Sequence, residues 1–306
     1  MQRRLGLLQW ASKCYLAAVR LLDVIQRSTT YLEERGVPSP RLQVELLLSH
    51  FLKLPRLQLY LEFERVLGPE ILDPLREAVR RRGRREPLQH IIGSTSFCGL
   101  EIEVSPDALV PRPETELLAE RAWTWLQDHP GTPDRPPSVL DWGTGTACIA
   151  IAVATHAPAA RITAIDISPA ALELARRNVD RHQCADRIRL QLADGAAALD
   201  PEVRFDLVVS NPPYIPASEI ETLDPEVRDH DPRAALDGGP DGLDAYRRLA
   251  SELPARLHPG GALLVEFGDG QASAVSGILT AAGWFVPEIH RDYSGRERLL
   301  LATREP

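Results

Sequence analysis

From residue 138 onward, short apolar runs alternate with stretches of helical length and period, and this pattern constrains the fold more than any other feature. The runs Val139-Leu140-Asp141, Arg161 to Ile167, Ile188 to Leu192, Asp206 to Ser210 and Ala262 to Phe267 have strand length and composition. Between them, Cys148 to Thr155, Pro169 to His182, Asp241 to Leu257 and Gln271 to Ala282 read as helices. Parallel neighbours in a sheet need a crossover between them, usually a helix, so such alternation predicts an α/β, Rossmann-like, doubly wound sheet. The last two runs, Phe285 to His290 and Arg298 to Thr303, are separated by a short polar link and predict a closing antiparallel pair, which brings the sheet to seven strands. In a sheet of this kind, ligands bind beyond the carboxyl ends of the strands, at the point where the winding reverses.

The chemistry-bearing residues fall at those ends. The first strand runs into Asp141-Trp142-Gly143-Thr144-Gly145-Thr146-Ala147. Gly143 and Gly145 permit a tight turn and close approach of a ligand to the backbone, and the next helix offers unpaired N–H groups. The third glycine of a dinucleotide fingerprint is missing, which disfavours a nicotinamide enzyme. The second strand ends at Asp166, placed to accept hydrogen bonds from ribose hydroxyls; the third is followed by Asp194-Gly195, able to meet an adenine edge. A lone aspartate after a strand is equally a helix N-cap, but the three positions in this order favour a nucleoside.

The fourth strand leads into Asn211-Pro212-Pro213-Tyr214. The two prolines fix the backbone and remove two donors, which frees the carbonyls of Asn211 and Pro212 as acceptors. Asn211 adds a side-chain acceptor and donor, and Tyr214 a flat face. Together they suit a planar –NH₂ group, whose delocalised lone pair makes it a poor nucleophile unless acceptors bind its hydrogens and align it. The structural alternative is a rigid proline turn.

Before residue 138 the character differs. Residues from about 16 to 80 read as helical, punctuated by Gly36, Pro38, Pro55 and Gly68-Pro69. The run Arg76 to Arg85 is basic and reads either as a solvated helix face or as a contact for an acidic partner or RNA. Residues 87–110 alternate around glycines as a hairpin does. Thr115 to Gln127 is again helical. The division expected is 1–86 helical, 87–110 hairpin linker and 111–306 catalytic. Across 306 residues the formal net charge is −8, which weighs against a broad nucleic-acid surface. None of Cys14, Cys98, Cys148 and Cys184 forms a C-x-x-C pair, so no metal is expected and reduced thiols of a cytoplasmic protein are. No apolar run approaches the roughly 18 residues of a membrane span. Met1 to Arg20 reads as the lead-in to a first helix, with a transit peptide as the alternative.

Taken together, Ser39-Pro40-Arg41-Leu42, Glu45 to Leu48, Pro87-Leu88, Ile92-Gly93, Phe97, Gly99-Leu100, Pro111-Arg112-Pro113-Glu114-Thr115-Glu116, the glycine turn, Ser210 to Ile215 and Arg291 to Arg296 resemble the release-factor glutamine methyltransferases, from about residue 16 to the C-terminus. The resemblance implies S-adenosyl-L-methionine as cofactor and N5-methylation of the glutamine in the Gly-Gly-Gln loop of class 1 peptide-chain release factors. It implies a helical domain that recognises the factor, ahead of the hairpin and the catalytic domain. Gly143, Thr144, Gly145, Thr146, Ala147, Asp166, Asp194, Gly195 and Asn211 would bind the cofactor; Asn211, Pro212, Pro213 and Tyr214 would hold the substrate glutamine, with Asn211, Pro212 and Tyr214 as the catalytic set. The expected partner is a release factor, with no direct nucleic acid and no membrane, and the enzyme is expected to be a monomer. Two departures stand out. Ala147 replaces a glycine, which is tolerable if its φ is negative, and Trp142 replaces an aliphatic residue. The rivals are a ribosomal-protein glutamine methyltransferase, against which the Pro111 to Glu116 segment speaks, an adenine-N6 methyltransferase, which would carry a basic cleft and a domain for a flipped base, and a non-catalytic module of the same fold.

Overall fold

The computed structural model describes residues 19–304, so Cys14 and the reading of Met1 to Arg20 as a helix lead-in fall, up to residue 18, outside the described residues. The chain divides into two compact units, the first ending at Ile92 and the second starting at Gly93.

In the first unit, α1 (Leu21–Glu33), α2 (Pro40–Leu52), a 3-10 turn (Arg56–Leu61), α3 (Pro69–Arg82) and α4 (Leu88–Ile92) enclose a core that includes Leu21, Val24, Ile25, Leu32, Val44, Leu47, Leu48 and Leu75. Helices α2 and α3 open on proline, which lacks the N–H that would go unpaired there and already has helical φ. Three arginines of the basic run on α3 have acidic partners close by. Arg76 pairs with Asp73, Arg80 with Glu77 and Arg81 with Glu86. Arg82 is buried, its Nε donating to Gln43 Oε1 (2.9 Å) and its Nη1 to the Glu86 carbonyl (3.1 Å). Neither sequence reading of the run foresaw a buried guanidinium.

The second unit begins with a two-stranded hairpin, β1 (Ser94–Phe97) and β2 (Leu100–Glu103), turned through Cys98 and Gly99, both at positive φ as a tight two-residue turn requires. Phe97 and Ile102 pack into the same core as α5 (Pro113–Asp128). The remaining elements are β3 (Ser138–Trp142), α6 (Cys148–His156), β4 (Arg161–Asp166), α7 (Pro169–Arg181), β5 (Ile188–Leu192), β6 (Phe205–Ser210), α8 (Pro225–Arg228), α9 (Arg233–Leu236), α10 (Asp244–Glu252), β7 (Leu257–Glu266), α11 (Ala272–Ala281), β8 (Trp284–Arg291) and β9 (Glu297–Arg304). The sheet order is β5-β4-β3-β6-β7-β9-β8. Six strands share one direction, and β9 alone is reversed, entering antiparallel between β7 and β8. The expected seven-stranded, Rossmann-like α/β sheet with an antiparallel close is therefore present. One element is shorter than its period suggested. The helix read as Asp241 to Leu257 ends at Glu252, gives way to a 3-10 turn at Leu253–Arg256, and Leu257 already belongs to β7. Pro254 has no N–H to continue the α ladder.

The chain winds outward from β3 to β5 and returns to β6 beside β3. The reversal therefore lies between β3 and β6, and the glycine turn and Asn211 both sit at its carboxyl end.

Candidate active site

A cleft of about 350 Å³ opens at this reversal, lined by Gly143 to Thr146, Asp166, Asp194, Gly195, Asn211 and Pro213, with Ala108, Arg112 and Thr115 across from them. This volume falls in the range of small-molecule sites, roughly 300–1,000 Å³.

The glycine turn is held by its neighbours. The N–H groups of Gly143 and Thr144 donate to the Ile165 carbonyl at 3.0 and 2.9 Å. Thr144 Oγ1 donates to Asp141 Oδ2 at 2.6 Å. Asp141 is fully buried, and burial pushes its carboxyl up to about 7 against the pull of Thr144 and of the Ala150 N–H. Gly143 has φ +75°, and a Cβ added there would meet nothing within 4 Å, so the turn presents bare backbone to open space. Ala147, by contrast, has φ +63° and is fully buried. The negative φ that would make its methyl harmless is not what the fold adopts; the turn into α6 forces a left-handed residue, and the alanine carries the strain.

Asp166 takes one hydrogen bond on each oxygen, from Gly145 N (Oδ2, 2.9 Å) and Ser168 N (Oδ1, 2.9 Å). The N-cap of α7 is Ser168, whose Oγ accepts from Ala171 N. Asp166 therefore braces the glycine turn, and each oxygen keeps a lone pair for a ligand. Asp194 is exposed and paired with Arg248, which donates Nη1 to Asp194 Oδ1 (2.7 Å), Nη2 to the Asp194 carbonyl (3.0 Å) and Nε to Glu252 (3.0 Å). The same guanidinium lies 5.8 Å from the centre of the Trp142 ring. Trp142 thus fills the core beneath α10 and is the base on which Arg248 rests.

Among the described residues, the carbonyls of Asn211 and Pro212 accept no hydrogen bond from the protein. Asn211 Nδ2 donates to Thr115 Oγ1 at 2.9 Å. Asn211 and Pro213 line the cleft, whereas Pro212 is buried and Tyr214 lies behind the wall, half-buried against the core of α10 and β7. Burial pushes the Tyr214 hydroxyl up to about 12, helped by Glu266 and Glu114 and opposed by Arg298 and Arg112. The Tyr214 carbonyl accepts from Gln271 Nε2 (2.9 Å), and Ile215 exchanges backbone bonds with Leu236 and Gly238.

Several residues of the site escaped sequence reasoning. Asn178, fully buried on α7, joins the hairpin to the glycine turn: Nδ2 donates to the carbonyls of Glu103 and Thr146 (3.0 Å each), and Oδ1 accepts from Glu103 N (2.8 Å). Within the Pro111 to Glu116 segment, Arg112 pairs with buried Asp231, Thr115 meets Asn211, and Glu116 accepts from Cys98 N. Ile167, an exposed apolar residue directly after Asp166, also lines the cleft. Of these only the Pro111 to Glu116 segment carried a signal, as a motif whose residue roles were not separable. Among the described residues, no cluster of metal-ligating side chains is present.

A seven-stranded sheet of this order, with a glycine turn after its first strand and acidic residues at or just after the ends of the next two, defines a class I methyltransferase. A methyltransferase from Pyrococcus furiosus shares the fold, with a TM-score of 0.50 and 21% identity over 73% of this chain and 97% of that one. Residues 23–93 match the family model of the PrmC N-terminal domain, and residues 126–223 that of the methyltransferase small domain. The release factor glutamine methyltransferase of Geobacter sulfurreducens is 44% identical over 90% of this chain and 94% of its own. That of Rhodospirillum rubrum is 42% identical over 96% and 87%. The chain belongs to the release factor glutamine methyltransferase family.

Proposed function

We propose that this enzyme transfers a methyl group from S-adenosyl-L-methionine to the side-chain amide nitrogen of a glutamine in the Gly-Gly-Gln loop of a class 1 peptide-chain release factor. The observation that carries the reading is the placement of Asn211 and its free carbonyl at the cleft, on the opposite side of the sheet reversal from the glycine turn and Asp166. The cleft fits the cofactor in kind. Asp166 keeps lone pairs for the two ribose hydroxyls, the bare backbone at Gly143 admits close approach, and Asp194 with Gly195 stands where an adenine edge would be met. Thr144 and Thr146 hold the turn from its buried side, and Ala147 starts the helix whose free N–H groups face the cleft. When bound, the cofactor supplies an activated methyl on a cationic sulfur.

The protein's contribution is positional and electrostatic. The carbonyls of Asn211 and Pro212 and the Asn211 side chain accept hydrogens from the substrate –NH₂, which raises electron density on nitrogen and directs its lone pair at the methyl. Pro213 limits the loop's freedom, and Tyr214, anchored from behind by Gln271, flanks the amide. We assign recognition of the release factor to the helical first unit, and we take the enzyme to act as a monomer in the cytoplasm. Free thiols at Cys98, Cys148 and Cys184 suit a reducing compartment, and no helix of the described residues is long and apolar enough to cross a membrane.

With labelled cofactor and a purified release factor, label should appear in the tryptic peptide that contains Gly-Gly-Gln, located by mass spectrometry. Asn211→Ala should abolish transfer while leaving the fold intact. Label in DNA or RNA oligonucleotides, or in a ribosomal protein, with none in the release factor would overturn the assignment.

A further inference from the structure

Glu266, the last residue of β7, is a buried carboxylate with no part in the reaction as set out above. It is 2% exposed, and its Oε2 has no hydrogen-bond partner. The Thr115 hydroxyl neighbours this carboxylate and holds its pKa down, and the hydroxyl oxygen accepts from Asn211 Nδ2 at 2.9 Å. Thr115 is itself 3% exposed, in the first turn of α5. A side chain from α5 thus links the end of β7 to the residue that follows β6.

The polarity of this chain follows from donor and acceptor counts. An ionised carboxylate only accepts, and a hydroxyl has a single hydrogen. Thr115 Oγ1 accepts from Asn211 Nδ2, which leaves its one hydrogen to turn to the neighbouring Glu266 carboxylate, whose Oε2 has no other partner. The Asn211 amide must then turn its –NH₂ inward and leave Oδ1 facing the cleft. An acceptor is what a substrate –NH₂ requires; the reverse orientation would oppose donor to donor.

We propose that Thr115 and Glu266 are positioning residues that set the orientation of the Asn211 amide, so that its Oδ1 rather than its –NH₂ meets the substrate nitrogen. The proposal rests on the reading that Asn211 receives the glutamine amide. Its consequence is a dependence on the charge of Glu266. A protonated carboxyl can donate to Thr115, whose hydrogen is then released toward Asn211 Oδ1, and the amide flips. Burial pushes Glu266 up to about 7. The groups facing it are Glu114 of α5, which raises it further, Arg298 of β9 and Arg112 ahead of α5, which lower it, Tyr214 after β6, and Tyr246 of α10, whose hydroxyl donates to the Glu266 carbonyl at 3.0 Å.

The test compares the wild type with Thr115→Val, Thr115→Ser and Glu266→Gln, measuring kcat and KM for a purified release factor from pH 6 to 8.5, cofactor affinity by calorimetry, and Tm. Loss of a directly bound stabilising group typically costs about 10²–10³ in kcat, so loss of a group acting through another should cost about 10- to 100-fold. Thr115→Val is expected to lower kcat by that factor, with KM and cofactor Kd changed less than about threefold, and Thr115→Ser to restore kcat to within about threefold. Wild-type kcat should fall as pH drops through about 7, and Glu266→Gln, whose amide both donates and accepts, should lower kcat and remove that dependence. Wild-type kcat in a natively folded Thr115→Val, or a Thr115→Ser as impaired as the valine variant, would overturn the proposal. So would an acid limb near pH 7 that survives in Glu266→Gln. A wild type that does not methylate release factor at all would instead overturn the functional reading, and this proposal with it.

Discussion

Asp141→Asn isolates the cost of burying a charge beneath the glycine turn. Asp141 is fully buried, and its carboxyl is raised from 3.8 to about 7 by desolvation. A raised folded value means that the native state holds its proton more tightly than the unfolded chain does. The associated stability is present in full below the unfolded value and is lost as pH rises through the folded one. At about 1.4 kcal/mol per pH unit the complete loss is on the order of 4 kcal/mol. Between pH 5 and pH 8, Asp141 alone should account for about 2.5 kcal/mol. Asparagine has the same shape and can still accept from Thr144, but it carries no charge at any pH. Urea denaturation at both pH values checks this. With a slope of about 2–3 kcal/mol per M, the wild-type midpoint should fall by about 1 M more than the variant's on going from pH 5 to pH 8. Equal falls in the two proteins, or a variant less stable than wild type at pH 8, would refute the reasoning that an uncompensated charge sits at this position.

Ala147→Gly should change stability by less than about 1 kcal/mol, because relief of left-handed strain (about 1–2 kcal/mol) is offset by a lost buried methyl (about 0.8) and a freer unfolded chain (about 0.4–1). Ala147→Val, β-branched at φ +63° in a packed site, should cost about 3 kcal/mol or more, read as a midpoint shift in urea. Arg112→Ala should destabilise by about 3–5 kcal/mol, since Asp231 would be left buried and unpaired, and adding Asp231→Ala should recover part of that loss in a double-mutant cycle.

What the sequence determined by itself is what local periodicity and backbone chemistry encode. Short apolar runs and period-3.6 stretches placed seven strands and the helices between them. Pro40, Pro69 and Pro169 marked where helices start, and Gly143, Asp166, Asp194 and Asn211 declared themselves by standing at or just after strand ends. Each of these signals lies within a few residues of the feature it specifies. Only the tertiary structure decided the rest, because a side chain's partner depends on which elements the strand order brings together. Thr115 meets Asn211 across 96 positions of sequence, and Glu266 completes the chain from the adjoining strand. Arg82, read as part of a basic surface, is drawn inward by Gln43 on a neighbouring helix. Ala147 takes a left-handed conformation that its residue type opposes, at the point where the turn after β3 enters α6 in the packed core.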